Sequence, residues 1–426
     1  AWIWRHKLKY KVFIFGTMEE SQMVRFDLKE NVELLGYLDN KKDCHEKGPL
    51  DGVPVMEPIE IKNKSFDYVI ISLLNHIQQI KEQLKLLGVP DYAVIPFFFP
   101  SEMERKEGGE VIDIERWGRD AACLESKYQI KRLENQIRLW KDNFMYEAMD
   151  FIRNQSIRFP IILDTDQVIH KIMNEGCSLC RFGDGEFEIM RGKERPLFQK
   201  YNRKLSERLK EVFDSNSEQI LIGIPDQFGS LERYTDEAAY DIRLYMNSEV
   251  RQYLDSVMDY DKTYCDAYLT RPYFIYKDKE DALKRFEKIK QIWSKKNVVI
   301  IEGSGTGMGI GNDLLDNSAS IQRIIGPAEN AFGCYDEILA AAKTVTKDKM
   351  FLISLGPSAT VLAYDLAKAG YQAVDTGHID LEYEWFLRNV KERVIIADKY
   401  VNEVLGGRVS GFLEDDRYQG QIIARI

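Results

Sequence analysis

Long apolar runs are missing from this chain. No window approaches the roughly 18 consecutive apolar residues of a membrane span, so none is expected. An excess of positive charge is missing as well: the net charge is −10. Neutralising a phosphate backbone takes a basic face, which argues against a general nucleic-acid binder. It does not exclude a local basic pocket for one nucleotide. Cysteine is scarce, with six residues at 44, 123, 177, 180, 265 and 334. Cys177 and Cys180 have CxxC spacing but no second pair follows, which argues against a structural zinc site. Buried free thiols in a reducing compartment are the simpler account, and the expected location is cytoplasmic. The segment Ala1 to Lys7 has no apolar core of a secretory signal.

Familiar loop fingerprints are also missing. The first apolar run ends at Gly16, where a dinucleotide site would place two more glycines. Thr17-Met-Glu-Glu-Ser21 stands there instead. Two carboxylates suit a pyrophosphate poorly, so Gly16 is read as a strand-end turn and no binding activity is assigned to it. No Gly-x-Ser-x-Gly elbow precedes His378, so a nucleophilic triad is not supported.

What is present is alternation. The 426 residues suggest two or three domains. Hydrophobic residues at 44% and charged residues at 30% are enough for large folded cores. Residues 11–16, 32–39, 67–72 and 92–96 are short apolar runs, with a helical pattern from Ile77 to Leu87 closed by Gly88. Residues 220–225, 298–302, 351–356 and 371–375 form a second set, with a helical pattern from Ser358 to Lys368 closed by Gly370. Buried strands alternating with helices imply parallel sheets. The expected fold is α/β: two Rossmann-like parallel-sheet domains, 1–100 and 151–426, joined by a helical linker, 101–150.

Within that linker, Glu102 to Glu110 is charged and carries Gly108 and Gly109. Beyond it Ile130, Leu133, Ile137, Trp140 and Phe144 recur at alternating spacings of 3 and 4, a heptad seam. One reading is an amphipathic helix packed on its own domain. The sharper reading is a short coiled coil that makes a homodimer through 123–144.

Polar residues gather just after the second set of strands, where open parallel sheets bind ligands. Arg181-Phe-Gly-Asp-Gly-Glu186 packs a cation and two carboxylates into six residues. Asp184 and Glu186 offer hard oxygen donors suited to Mn²⁺ or Mg²⁺, ions that usually arrive with substrate phosphates. The plain alternative is a turn in which Asp184 caps a helix starting at Phe187. After 298–302, glycines alternate at 303, 305, 307, 309 and 311, which lets backbone N–H groups wrap an anion. Asn312 and Asp313 then open an expected helix whose N-terminus suits phosphate. Arg271 suits a diphosphate or, equally, a salt bridge. His378 stands at a predicted strand end beside carboxylates, a setting for ligand, acid–base or hydrogen-bonding work.

Taken in order, these segments resemble the GT-D type glycosyltransferases of bacteria. The matching stretches begin with Arg181-Phe-Gly-Asp-Gly-Glu186, Phe198-Gln-Lys-Tyr201, Gly223-Ile-Pro-Asp226, Arg233-Tyr234 and Thr270-Arg-Pro-Tyr273. They continue with Gly309-Ile-Gly-Asn-Asp313, Pro327-Ala-Glu-Asn-Ala-Phe332, Leu355-Gly-Pro357, Gly377-His-Ile-Asp380 and Lys399-Tyr400. The likeness spans about 160 to 426. The first hundred residues resemble, more loosely, the Rossmann-like modules beside bacterial sugar-modifying enzymes, through Leu35-Gly-Tyr-Leu-Asp-Asn40.

The resemblance implies transfer of a sugar, glucose or a relative, from a UDP-sugar to a glycan or glycoprotein acceptor, with a divalent ion. It implies Asp184 and Glu186 at the metal. Nucleotide-sugar contacts then fall on Arg181, Gly183, Arg271, Gly303, Gly309, Gly311, Asn312 and Asn330. Asp313, His378 and Asp380 are the candidates for general base. The alternative is a non-catalytic nucleotide-binding or assembly protein in surface polysaccharide biosynthesis.

Overall fold

The computed structural model describes residues 10–17, 21, 24–25, 28, 31–40, 48–72, 77–97, 114–147, 158–193, 199–401, 403–404, 407 and 415–426, with the backbone alone for most of 114–131. The charged stretch 102–110, residues 18–20 after Gly16, the start of the second expected domain at 151–157 and Phe198 lie outside the described residues. The chain divides into two compact units, Ala1–Ile137 and Arg138–Ile426.

In the first unit, β1 (Tyr10–Phe15), β2 (Val32–Leu38), β3 (Val55–Met56), β4 (Tyr68–Ile71) and β5 (Val94–Pro96) form a sheet in the order β3-β2-β1-β4-β5. Every pairing in it is parallel. Val12, Ile14, Tyr37, Ile70 and Ile95 meet in its core. Helix α1 (Ile77–Leu86) buries Ile77, Ile80 and Leu84, spaced to share one face. Gly88, at φ 88, takes the left-handed turn that ends it. Gly16 also has positive φ, and the Thr17 hydroxyl donates to Asp39 at 2.6 Å, tying the ends of β1 and β2 together.

Helix α2 (Ile114–Glu147) contains the boundary between the units. Its last turns pack through Leu139 and Asn143, both buried. The Asn143 amide donates to the Leu139 carbonyl and accepts from Arg251, while Glu147 takes a two-pronged ion pair from Arg243. The heptad seam faces elsewhere: Ile130, Leu133, Ile137, Trp140 and Phe144 are between 43% and 57% exposed. The last turns of the helix pack on the second unit, through a different stripe from the one the apolar spacing suggests.

The second unit is built on β6 (Ile161–Leu163), β7 (Ser178–Arg181), β8 (Ile220–Ile224), β9 (Thr263–Asp266), β10 (Asn297–Gly303), β11 (Ser320–Gly326), β12 (Met350–Ser354), β13 (Gln372–Asp375) and β14 (Ile422–Arg425). These form a parallel sheet in the order β14-β11-β10-β12-β13-β7-β8-β9-β6. Val299 and Ile301 of β10 enter one core cluster, and Val298 and Ile300 enter another. Alternate residues thus bury both faces, which is why these strands read as unbroken apolar runs. Arg181 and Asp375 end β7 and β13, the strands where the two halves of the sheet join.

Several helices begin just past the carboxyl ends of strands. Helix α3 (Asp184–Met190) follows β7, α4 (Pro357–Lys368) follows β12, and α5 (Ile379–Leu387) follows β13. Pro357 at the first position and Gly370 at φ 82 after the end bound α4, as the sequence suggests. The helix expected at Asn312 is not there; turns run from 304 to 319. Asn312 Oδ1 accepts from the Leu314 N–H, and the Asn317 amide donates to the Lys290 carbonyl. Asn, Asp and Ser side chains compete for the backbone in this stretch and hold it in turns.

Candidate active site

A cavity of about 600 Å³ opens beyond the carboxyl ends of β7, β10, β12 and β13. Its wall includes Arg181, Gly183, Asp184, Glu186, Arg271, Gly303, His378 and Asp380 among the residues expected from the sequence. Gly309, Gly311, Asn312, Asp313 and Asn330 are not among its lining residues.

Asp184 begins α3 rather than capping a helix at Phe187, and Gly183 takes the cap position. Glu186 folds back so that its Oε2 accepts the Gly183 N–H at 2.7 Å. The orphan donor at the helix start is thereby satisfied by a carboxylate the sequence supplies two residues after Asp184. Burial pushes the Glu186 carboxyl up to about 7 against that hydrogen bond, and Asp375 and Asp184 add to the rise. A cation placed here would relieve that crowding of negative charge.

Arg181 is spent on the protein. Its Nε donates to the Asp375 carbonyl at 3.1 Å and its Nη1 to the Ala267 carbonyl at 3.0 Å, while Nη2 pairs with the Asp375 carboxylate at 3.4 Å. A Cβ on Gly377, which has φ 49, would collide with this guanidinium. Glycine at 377 therefore lets Arg181 cross from β7 to β13 and fix the floor of the cavity.

The glycine loop does wrap anions, but they belong to the chain. The Met308 N–H donates to Glu302 at 2.8 Å and the Gly309 N–H donates to Asp380 at 2.8 Å. Glu302 is fully buried against Arg323, which also donates to the Met308 carbonyl at 2.8 Å. A side chain at Gly309, where φ is 73, would meet Leu315 at 2.7 Å. Alternate glycines thus serve a tight internal fold rather than an open phosphate cradle.

The three base candidates separate on geometry. Asp313 lies outside the cavity lining, its side chain 56% exposed, and binds Lys290 and the Tyr383 hydroxyl at 2.7 Å each. Those two partners hold its carboxyl below the usual aspartate range, which weakens it as a base. Asp380 has both oxygens taken: Oδ1 by Gly309 and Asn312, Oδ2 by Lys399 at 2.6 Å. His378 lines the cavity, with Nδ1 at 3.2 Å from Arg271 and Nε2 at 3.5 Å from Glu403.

Sequence reasoning assigns no role to Asp375 or Arg393, yet both line the cavity with Tyr400 and Glu403. Asp375 carried a usable signal, being the last residue of a predicted strand. Arg393 sits in an aperiodic stretch and carried none. Asn402, Gly406 and Arg408, which flank Glu403 in sequence, lie outside the described residues.

Comparison with known proteins gives this geometry a family. The family model described as "Glycosyltransferase GT-D fold" matches residues 179–404. The chain belongs to the GT-D glycosyltransferase family. A second family model, described as "C2185-like, N-terminal", matches residues 8–95. A structure in which domain of unknown function 1792 "has a distinct glycosyltransferase fold" is similar to this chain with TM-score 0.59. It is 36% identical and covers 63% of this chain and 96% of its own. A further structure, "A New Glycosyltransferase" from Streptococcus sanguinis, gives TM-score 0.58 at 33% identity, over 63% of this chain and 100% of its own.

Among curated proteins, the "Probable glycosyl transferase Gly" of Streptococcus gordonii is 35% identical over 62% of this chain and 39% of its own length. The glycosyltransferase GlyD of Streptococcus pneumoniae is 29% identical over 86% of this chain and 42% of its own. The chain therefore spans about two fifths of the length of these relatives. The GT-D match takes in Arg181 through Glu403 and so the whole cavity wall.

Proposed function

We propose that this GT-D domain transfers a sugar, glucose or a relative, from a UDP-sugar to a glycan or glycoprotein acceptor. One observation carries the reading: two carboxylates, Asp184 and Glu186, and a cationic group around Arg271 line the same cavity at the sheet junction. A nucleoside diphosphate carries the complementary charges, needing a metal ion on one side and arginine on the other.

The donor set fits Mn²⁺ or Mg²⁺. Among the described residues no group of three or more His, Cys, Asp or Glu is placed to hold an ion. Mg²⁺ commonly binds through one or two carboxylates plus substrate phosphates rather than in an all-protein cage, and Asp184 with Glu186 supply that pair. When bound, the ion neutralises charge on the leaving diphosphate as the glycosidic bond breaks. Arg181 and Asp375 hold the strand ends on which the carboxylates stand. Among the described residues no helix is long and apolar enough to cross a membrane. Cys177, Cys180, Cys265 and Cys334 are free thiols, which supports a cytoplasmic site of action.

Calorimetry with a panel of UDP-sugars, with and without Mn²⁺, tests the donor class. One UDP-sugar binding only with the metal, and turning over, is expected. Binding without turnover of any donor would favour the non-catalytic alternative.

A second reading concerns assembly, and the exposed seam on α2 favours it. We infer that a second copy covers Leu133, Ile137, Trp140 and Phe144. If Ile137 packs on Trp140 of an antiparallel copy, Glu134 comes close to Lys141, so flanking charges complement the apolar contact.

A further inference from the structure

Glu403 sits where an anionic ligand would. Arg271 Nη1 donates to its Oε2 at 3.2 Å, and Arg271 Nη2 binds its Oε1. Arg393 Nε stands 2.9 Å from Oε2, and His378 Nε2 stands 3.5 Å from Oε1. All four residues line the cavity. Burial alone would raise this carboxyl; Arg271, His378 and Arg393 outweigh it and hold the group ionised, well below the usual range. Glu403 is a fixed negative charge inside a cationic pocket.

One carboxylate does not saturate that pocket. Arg393 Nε is buried without an aligned hydrogen bond, despite its closeness to Glu403. Arg271 reaches past Glu403 toward a second buried carboxylate, Glu382, at 3.7 Å. The four side chains keep between 17% and 27% of their surface exposed, so a partner can be exchanged without unfolding the wall. Two arginines and an imidazole offer more donors than two carboxylate oxygens can use, and planar guanidinium groups match phosphate well.

The strand of chain that carries Glu403 has its own attachments. Lys399 binds Asp380, the Tyr400 N–H donates to the Gly305 carbonyl at 2.7 Å, and the Tyr400 hydroxyl donates to Glu329 at 2.9 Å. These anchors lie upstream of Glu403 and do not depend on it, so the carboxylate can leave while the segment stays docked.

We propose that Arg271, Arg393 and His378 form the diphosphate subsite of the cavity, and that Glu403 is its resident counter-ion, displaced when a nucleoside diphosphate enters. The idea rests on the UDP-sugar reading of the cavity and adds residues that reading does not use. It makes Glu403 an internal competitor: bound diphosphate must outbid a carboxylate already in place. Weak anions are thereby kept out, and a ligand that also brings a metal ion to Asp184 and Glu186 is favoured.

Calorimetric titration of the full chain in Mg²⁺, with inorganic pyrophosphate and separately with UDP, tests this. Glu403→Gln keeps the shape and removes the charge, and is expected to bind pyrophosphate about tenfold more tightly than wild type. Arg393→Gln is expected to bind it about tenfold more weakly. Glu403→Asp, which keeps the charge but shortens its reach, is expected to fall between wild type and Glu403→Gln, and carries the test if the glutamine variant does not fold. Unchanged or weaker pyrophosphate binding on loss of Glu403, with UDP still bound by wild type, overturns the counter-ion role and leaves the donor reading standing. No UDP binding by wild type or any variant overturns both.

Discussion

Lys399 and Asp380 meet at 2.6 Å, and both are almost wholly buried. Lys399 also reaches Glu384 at 3.2 Å, and Asn312 donates to both carboxylates. The cluster ties the glycine loop, α5 and the segment before Glu403 into one wall. Lys399→Met would leave buried Asp380 without its cation, facing a Glu384 paired with the half-exposed Arg388. Breaking a buried pair from one side costs about 3–5 kcal/mol, and urea unfolding of the variant is expected to show a loss of that size. A midpoint unchanged from wild type would contradict the role given to Lys399.

Asp313 is predicted to be dispensable for chemistry. Asp313→Asn keeps the shape and weakens only its contacts to Lys290 and the Tyr383 hydroxyl. Removing a general base lowers turnover by about 10²–10⁴, so a kcat within about twofold of wild type separates the two cases.

Asp266 sets a pH dependence of stability. It is buried, and its Oδ1 accepts the Tyr268 N–H at 2.8 Å. Burial pushes its carboxyl up to about 7, against that hydrogen bond. An unfolded aspartate titrates near ~3.9, so the folded state binds the proton more tightly, and its stability contribution is full below ~3.9 and fades as pH rises through about 7. Asp266→Asn keeps the acceptor and removes the titration. From pH ~3.5 to ~8 the variant should gain on wild type by on the order of 4 kcal/mol in urea unfolding; parallel curves would contradict the assignment.

The α2 seam predicts a dimer. Light scattering on the chain should give twice the monomer mass, and Leu133→Asp with Ile137→Asp should give the monomer. Donor turnover should survive in the double variant, because neither residue is among those lining the cavity. A monomeric mass for wild type would sink the self-association.

The parallel α/β fold was legible because strands such as β10 and β12 bury both faces and leave long apolar runs. Other strands escaped: the four-residue β7 reads as a CxxC pair, and β11 holds Arg323 in its middle, a charge paired with Glu302 on the neighbouring β10. The carboxylates Asp184 and Glu186 were legible as a local motif. The glycine loop was misjudged in what it wraps: Glu302 directly precedes it, but Asp380 lies 71 residues from Gly309 and only the fold brings it there. Arg181 looked like a ligand contact for the same reason: its partners lie 86 and 194 residues away. Spacing along a chain reports which groups are near in sequence, and the site is assembled from strand ends that are not.

The central claim is that Asp184 and Glu186 act on a sugar-nucleotide diphosphate. The most direct measurement is the initial rate of UDP-sugar turnover in Mn²⁺ for wild type, for wild type with chelator, and for Asp184→Asn. Turnover is expected in the first alone, with a loss of at least about a hundredfold in the other two, as for removal of a group that stabilises charge in the transition state. Equal rates in all three would contradict it.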